Sequence, residues 1–288
     1  MKDKYKTLVA GGDMRQVYCA LRLSEEYDTS IIGFDDEFID DDISIRSAVL
    51  SEGESFDCIV LPVIPIDENG LLNSPCSAVS IDPLSISRTL RPGGMIFAGK
   101  VDERLRKMFH GYEICDYLVR EELSLKNAIP TAEGAVRLAL EELPVTLNGL
   151  SVLIVGMGRI GTALAEILKG FGADVTAAVR NESGAAKARI HGIKSVYTAK
   201  AGSDYGLVFN TVPSLVFGRE KLSAFGAKTL FIDLASKPGG IDFDAASELG
   251  IKAIWALGLP GKTAPVTSGE IIAESILEVL GERSGGDV

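Results

Sequence analysis

Histidine is nearly missing from this chain: 288 residues hold two, His110 and His191. Neither lies in a glycine-rich loop, so chemistry built on a histidine acid–base group or a histidine-rich metal site has little to work with. The four cysteines, Cys19, Cys58, Cys76 and Cys115, are far apart and form no C-x-x-C pair. No disulfide framework or metal site is therefore expected, and all four are read as reduced and buried. Basic residues are also short, 29 Lys and Arg against 40 Asp and Glu, for a net charge of −11. That balance disfavours nucleic acid and anionic membrane as partners. No apolar run approaches the roughly 18 residues of a membrane span. The opening Met1–Lys6 leads into a strand-like run with no secretory apolar segment behind it. The expectation is a cytoplasmic protein.

Glycine is abundant, at 31 residues, and hydrophobic residues make up 46%. The length suits about two domains. Strand-like and helix-like runs alternate throughout, which predicts an α/β chain with parallel, doubly wound sheets. In the first half the strands fall at Thr7–Ala10, Ser30–Gly33, Cys58–Pro62, Met95–Ala98 and Glu113–Cys115, with helices at Asp13–Glu26, Asp82–Leu90 and Asp102–Phe109. A long helix, Thr131–Leu143, opens behind Pro130 with Thr131 as its N-cap and Glu133 in its first turn. A second series follows, with strands at Leu150–Val155, Asp174–Val179, Leu207–Asn210, Thr229–Leu234 and Lys252–Trp255. The expected division is an N-terminal domain, 1–128, completed by a returning helix, 266–281; a second domain, 129–265; and a flexible tail, 282–288. Two α/β lobes joined by a long helix would enclose a cleft, a preferred ligand site. The acidic stretch from Phe34 to Asp42 lacks the spacing and turn glycine of a calcium loop and reads as solvated.

The strongest motif follows the strand ending at Val155: Gly156-Met157-Gly158-Arg159-Ile160-Gly161, then a helix with Leu164, Ile167 and Leu168 on one face. Between a buried strand and a helix, G-x-G-x-x-G is the fingerprint of a Rossmann dinucleotide site. Gly156 allows the turn, Gly158 lets the backbone approach a pyrophosphate, and Gly161 lets helix and strand pack closely. The helix N-terminus offers N–H groups and a positive dipole end. After the next strand the chain reads Val179-Arg180-Asn181-Glu182-Ser183. A guanidinium there suits a 2′-phosphate, with Asn181 and Ser183 as further donors, so NADP is the expected cofactor. Glu182, turned inward, would restore NAD.

Gly11-Gly12-Asp13-Met14-Arg15-Gln16 also joins a strand to a helix, but Asp13 and Gln16 stand where the second and third glycines would be. It is no second dinucleotide site. It suits either a small anion, held by backbone N–H groups with Arg15 as counter-charge, or a plain Asp13 N-cap.

Ligands of open α/β sheets bind beyond the carboxyl ends of the strands. Three such ends are rich in polar and glycine residues: Asn210-Thr211-Val212-Pro213-Ser214, Asp233-Leu234-Ala235-Ser236-Lys237-Pro238-Gly239-Gly240 and Gly258-Leu259-Pro260-Gly261-Lys262. Thr211, Val212, Pro213, Asp233 and Leu234 join the expected cofactor contacts, although Asp233 also suits a turn cap. Lys237 and Lys262 are point charges for a substrate carboxylate.

These segments, together with Asn127-Ala128-Ile129-Pro130-Thr131-Ala132-Glu133-Gly134, resemble the dipicolinate synthase A-subunit family over nearly the whole chain. The resemblance is weakest across 35–55 and in the tail. It implies NADP-dependent oxidation of dihydrodipicolinate to dipicolinate during sporulation, in the mother-cell cytoplasm. It also implies a partner, the flavoprotein-like B-subunit of dipicolinate synthase, and the expected assembly includes a homo-oligomer. Aromatisation needs positioning more than a strong base. If a base takes part, the candidates are Glu133 and Lys237. For the small dicarboxylate substrate the candidates are Gly12, Asp13 and Arg15 on one lobe, and Thr131, Ala235, Ser236, Lys237 and Gly258 on the other. A dehydrogenase of another small acid, 2-hydroxy or amino, and a non-catalytic NADP-binding protein remain the alternatives. A hydride-transfer assay separates them.

Overall fold

The computed structural model describes residues 5–39, 45–48 and 54–284. The first series runs β1 (Lys6–Ala10), α1 (Met14–Ser24), β2 (Asp28–Ile32), β3 (Arg46–Ser47), β4 (Phe56–Val60), α2 (Pro83–Ser87), β5 (Leu90–Ala98), α3 (Glu103–Met108), β6 (Glu113–Asp116) and α4 (Glu121–Lys126). The second begins with α5 (Ala128–Glu142), β7 (Ser151–Val155), α6 (Arg159–Gly170), β8 (Asp174–Val179), α7 (Glu182–Ile190) and β9 (Lys194–Tyr197). It continues with β10 (Leu207–Asn210), α8 (Arg219–Leu222), β11 (Leu230–Asp233), α9 (Phe243–Glu248), β12 (Ala253–Trp255) and α10 (Leu259–Thr263), and α11 (Pro265–Ser284) follows. The chain divides into two compact units, Met1–Asn127 with Ala264–Val288, and Ala128–Thr263.

Each unit has one parallel six-stranded sheet. The orders are β3-β2-β1-β4-β5-β6 and β12-β11-β10-β7-β8-β9. Counted from its own first strand, each sheet is doubly wound, 3-2-1-4-5-6, with a switch point between β1 and β4 in one and between β7 and β10 in the other. Such sheets are covered on both faces, so their central strands are apolar throughout. In β7, Val152 and Ile154 pack with Ala135, Ala139, Leu164 and Leu168 of α5 and α6. Leu153 and Val155 pack on the opposite face with Phe217, Phe225 and Phe231, whose rings meet edge to face. In the first unit, α11 lies against α1. A Cβ on Gly269 would sit 2.4 Å from Arg15 O, so only a glycine allows this approach. Ile272, Ala273 and Ile276 share a core with Cys19, Ala20 and Leu23.

Several boundaries depart from expectation. Helix α5 starts at Ala128, directly after α4, so Thr131 is a buried helical residue rather than an N-cap, and Glu133 lies beyond the first turn. Pro130 falls within that first turn, where its missing N–H breaks no intrahelical bond. Helix α11 reaches Ser284, so residues 282–284 continue the helix; 285–288 lie outside the described residues. The returning helix therefore extends at both ends beyond 266–281. Helix α2 is cut short because Leu90 already pairs with Phe56 as the start of β5. Cys115 is half-buried, while the other three cysteines are buried. In the acidic stretch Asp35 accepts from Ser77 Oγ at 3.1 Å and Ala78 N at 2.7 Å, tying two loops; residues 40–42 lie outside the described residues. Among the described residues no helix is long and apolar enough to cross a membrane.

Candidate dinucleotide-binding site

The loop after β7 uses its three glycines for different purposes. Gly156 has φ +96°, and a Cβ there would come within 2.6 Å of Thr211 Oγ1. Gly161, in the first turn of α6, leaves 2.0 Å between a built Cβ and Gly156 O, so nothing larger fits. Gly158 differs: it is the exposed N-cap of α6, and nothing lies within 4 Å of its Cβ position. An open cradle thus faces a helix N-terminus, which suits a pyrophosphate. Arg159 is exposed beside it, and Ile160 packs onto the core below.

A cavity of about 380 Å³ adjoins this loop. Gly156 and Met157 line it from the end of β7, Arg180, Asn181, Ser183 and Lys187 from β8 and α7, and Thr198, Val212, Ser214 and Val216 from facing loops. Gly156, Met157, Arg180, Asn181, Ser183 and Val212 were expected. Lys187 was not, although it stands one helical turn after Ser183. Asn181 caps α7, accepting from Gly184 N at 3.0 Å. Glu182 does not line the cavity; it accepts a hydrogen bond from the Tyr197 hydroxyl, a bond that holds the tyrosine pKa above its ordinary value. A broader depression of about 650 Å³ shares Arg180, Thr198 and Val216 and adds Lys200 and Lys221. Lys221 Nζ donates to Thr198 O at 2.8 Å, and burial lowers its pKa. Four cations therefore surround the end of β8 on a protein of net charge −11.

The remaining expected cofactor residues take other positions. Thr211 Oγ1 folds back to donate to Val155 O at 2.8 Å, bridging the switch point. Pro213 is exposed. Asp233 is fully buried, and its oxygens accept from Asn210 Nδ2 (2.7 Å), Ala235 N (3.0 Å) and Gly240 N (2.7 Å). Leu234 is buried beside it. The structure thus gives Asp233 the role of bracing its loop rather than facing a ligand. Trp255 Nε1 adds a bond to Ala235 O at 2.9 Å.

Among the substrate candidates, Ser236, Lys237 and Gly258 are exposed, whereas Ala235 and Thr131 are buried. Lys237 and Glu133 are exposed, and neither lines the 380 Å³ cavity. Arg15 is not a free counter-charge: Nε and Nη2 bind Asp13 Oδ1 and Oδ2 at 2.8 and 2.7 Å. Two residues apart, they meet because Asp13 caps α1, accepting from Arg15 N at 3.1 Å. Burial pushes the Asp13 carboxyl pKa up, but the hydrogen bonds and charge of Arg15 outweigh it and leave the group below its usual range. Gly11 N and Gly12 N donate to Ile32 O and Asn73 O, both at 2.8 Å, so these amides are occupied and not offered to an anion. Gly12, Asp13 and Arg15 nevertheless line a small cavity in the first unit. His191 Nδ1 lies 2.9 Å from Glu166 Oε1, and His110 is exposed after α3.

Residues 6–118 match the model of the dipicolinate synthase A-subunit N-terminal domain. Residues 129–240 match the NAD binding domain of the D-isomer specific 2-hydroxyacid dehydrogenases. The dipicolinate synthase A-subunit of Bacillus subtilis (strain 168) is 32% identical over 297 residues, covering 96% of each chain. The crystal structure of the A-subunit from Bacillus halodurans superposes with a TM-score of 0.87 at 30% identity, covering 96% of this chain and 97% of that one. A Sinorhizobium meliloti transhydrogenase, 14% identical with a TM-score of 0.69, covers 95% and 93% and shares the fold. The second unit carries a dehydrogenase-type nicotinamide-dinucleotide-binding domain.

Proposed function

The chain belongs to the dipicolinate synthase A-subunit family, and from that premise we propose that it oxidises dihydrodipicolinate to dipicolinate with NADP. A bound nicotinamide supplies the hydride acceptor. The ring loses a hydride from one saturated carbon and a proton from its neighbour, giving the aromatic pyridine, NADPH and one proton. Aromaticity drives the step, so the chain's task is to hold the ring, neutralise its carboxylates and exclude water.

The cation cluster at the end of β8 carries the choice of NADP. Arg180 and Lys187 line one cavity, and among the described residues no acidic side chain does so. A ribose 2′-hydroxyl wants an acceptor there, whereas a 2′-phosphate wants cations. The engagement of Glu182 by Tyr197 supports the same choice. Lys237, exposed on its braced loop, is the cation proposed for a substrate carboxylate, with Thr131, Ala235, Ser236 and Gly258 of the second unit as further candidates. Glu133 or Lys237 would take the ring proton.

The relatives are named as one of a synthase's subunits, which supports a second, different chain as partner. A role in sporulation, in the mother-cell cytoplasm, belongs to the same proposal. The deciding experiment mixes the purified chain with freshly generated dihydrodipicolinate and NADP, alone and with a candidate B-subunit. Reduced nicotinamide and pyridine product should appear together. If neither forms with the partner present while NADP still binds, or if a 2-hydroxy acid is oxidised instead, the assignment fails.

A further inference from the structure

The turn that carries Lys237 is open at its tip and held at both ends. Ser236, Lys237 and Pro238 are exposed, while Ala235, Gly239 and Gly240 on either side are buried. Gly239 N donates to Ser236 O at 2.9 Å and closes the turn. Gly240 O accepts from Val216 N and Phe217 N, both at 2.9 Å. Lys237 itself is left out of these ties: its Nζ makes no hydrogen bond or ion pair among the described residues. Its charge is free for a ligand.

Trp255 meets both ends of the turn. Its Nε1 donates to Ala235 O at 2.9 Å, where the turn begins. Its ring lies against Gly239, where the turn ends; a Cβ built there would stand 3.3 Å from Trp255 Cζ2 and 3.4 Å from Cε2. The indole also stacks on Phe243 of α9, with ring centroids 5.5 Å apart and planes 18° apart. A hydrogen bond at its edge and a ring at its face therefore fix the indole before it fixes the turn.

Asp233, paired with Trp255 across the sheet, grips the turn from its other side through Ala235 N and Gly240 N. The carboxylate orders the flanking amides, and the indole adds a tie at Ala235 O and fills the space beside Gly239. Lys237 keeps its own rotamers in either case. What the ties remove is motion of the backbone from which it extends. Ordering a mobile loop on binding costs affinity, so a turn held in advance binds more tightly.

We propose that Trp255 is a positioning residue for the substrate, holding the Ser236–Pro238 tip so that Lys237 meets a ligand carboxylate from a backbone already set. This rests on the reading that Lys237 takes a substrate carboxylate, and it adds how that cation is presented.

Calorimetry on the full-length protein, with NADP saturating and pyridine-2,6-dicarboxylate as the probe, compares wild type, Trp255→Phe, Lys237→Ala and the double variant. Trp255→Phe keeps a ring beside Phe243 and loses the bond to Ala235. It should weaken dicarboxylate binding about five-fold and leave NADP affinity within about two-fold. Lys237→Ala should weaken dicarboxylate binding about ten-fold. Because Trp255 acts through Lys237, the double variant should bind within about two-fold of Lys237→Ala, whereas independent effects would multiply. Multiplied effects, or a Trp255→Phe variant that binds like wild type, overturn this inference and leave the proposed reaction standing. Loss of NADP and dicarboxylate binding together would mark a merely structural tryptophan and overturn it too. No dicarboxylate binding by the wild type, or full binding by Lys237→Ala, overturns the substrate role of Lys237 and this inference with it. The chain has a single tryptophan, so wild-type emission supplies a readout that needs no variant to fold. It should shift as the dicarboxylate saturates, and an unshifted emission in a wild type that binds the probe overturns the inference.

Discussion

Asn210 Nδ2 donates to Asp233 Oδ1 across 2.7 Å, joining the end of β10 to the end of β11 with both side chains fully buried. Asn210 also bonds Val212 through both its amide atoms, at 2.9 and 3.3 Å, and Asp233 gathers Ala235 N and Gly240 N. One buried pair thus shapes two of the loops beyond the second sheet. Asp233→Ala leaves three donors unmet inside the protein. It should destabilise the second unit by about 3–5 kcal/mol. Chemical denaturation would measure the loss, and Trp255, tied to the same loop through Ala235, would report loosening as a red-shifted emission.

Two glycines of one loop should respond oppositely. Gly158→Val meets open space, so the variant should keep its melting temperature within a few degrees while losing dinucleotide binding. Gly161→Ala drives a methyl into Gly156 O and should lower stability by at least about 2 kcal/mol. Thermal melts paired with calorimetry on both variants separate a blocked cradle from a broken one. Equal melts would remove the distinction.

Cofactor preference should track the cations at the end of β8. Arg180→Ala and Lys187→Ala should each weaken NADP binding about ten-fold and leave NAD within about two-fold. Competition titrations with both dinucleotides are the measurement. A wild type that binds NAD and NADP equally would return the ribose to Glu182.

Acid should reveal the Asp13–Arg15 pair. The folded carboxyl pKa lies below its unfolded value of roughly 3.9, so the pair stabilises the protein above that pH. The contribution fades as pH falls through the folded value. Asp13→Asn should therefore melt lower than wild type near neutrality, and the gap should close as pH falls through the folded value. Arg15, Tyr117 and Cys76 are the titratable groups coupled to Asp13, and none of their own shifts brings a titration into that acid window. A gap independent of pH would point to altered hydrogen bonding of the side chain rather than to its charge.

Thiol chemistry should be uneven. Burial raises the pKa of Cys19 and Cys58 and shields both from reagent. Cys115, half-buried, should alkylate first in the native protein, as read by peptide mass spectrometry. First labelling at Cys19 or Cys58 would contradict this packing.

Much of this was legible in the sequence, for physical reasons that also mark where it stopped. A strand, three spaced glycines and an apolar helix face are local signals, and β7, its loop and α6 followed from them. Strand β9 gave no such signal: Lys194, Ser195 and Tyr197 are exposed at a sheet edge, so no apolar run marks it. Lys187 sits on a helix face whose partner cavity forms only in the fold. Arg15 read as a free cation because side-chain pairing across two residues depends on rotamers and capping, not spacing. Asp233 suited both a cofactor contact and a turn cap because burial at a strand end cannot be told from exposure there, and the bonds to Ala235 N and Gly240 N give it the cap. Thr131 read as a cap because a proline usually marks a helix start, and here the helix had already begun.

The seating of α11 on α1 through Gly269 sets an order on the birth of the protein. The second unit is one continuous stretch, so it has all its residues once Thr263 has left the ribosome. The first unit starts earlier but must wait for α11, made after the whole of its neighbour. Until then Cys19, Ala20 and Leu23 lack the residues that cover them, and the nascent chain carries an uncovered apolar stripe on α1. Translation that halts within residues 264–284 would release a chain able to fold its nucleotide domain but not to close its first core.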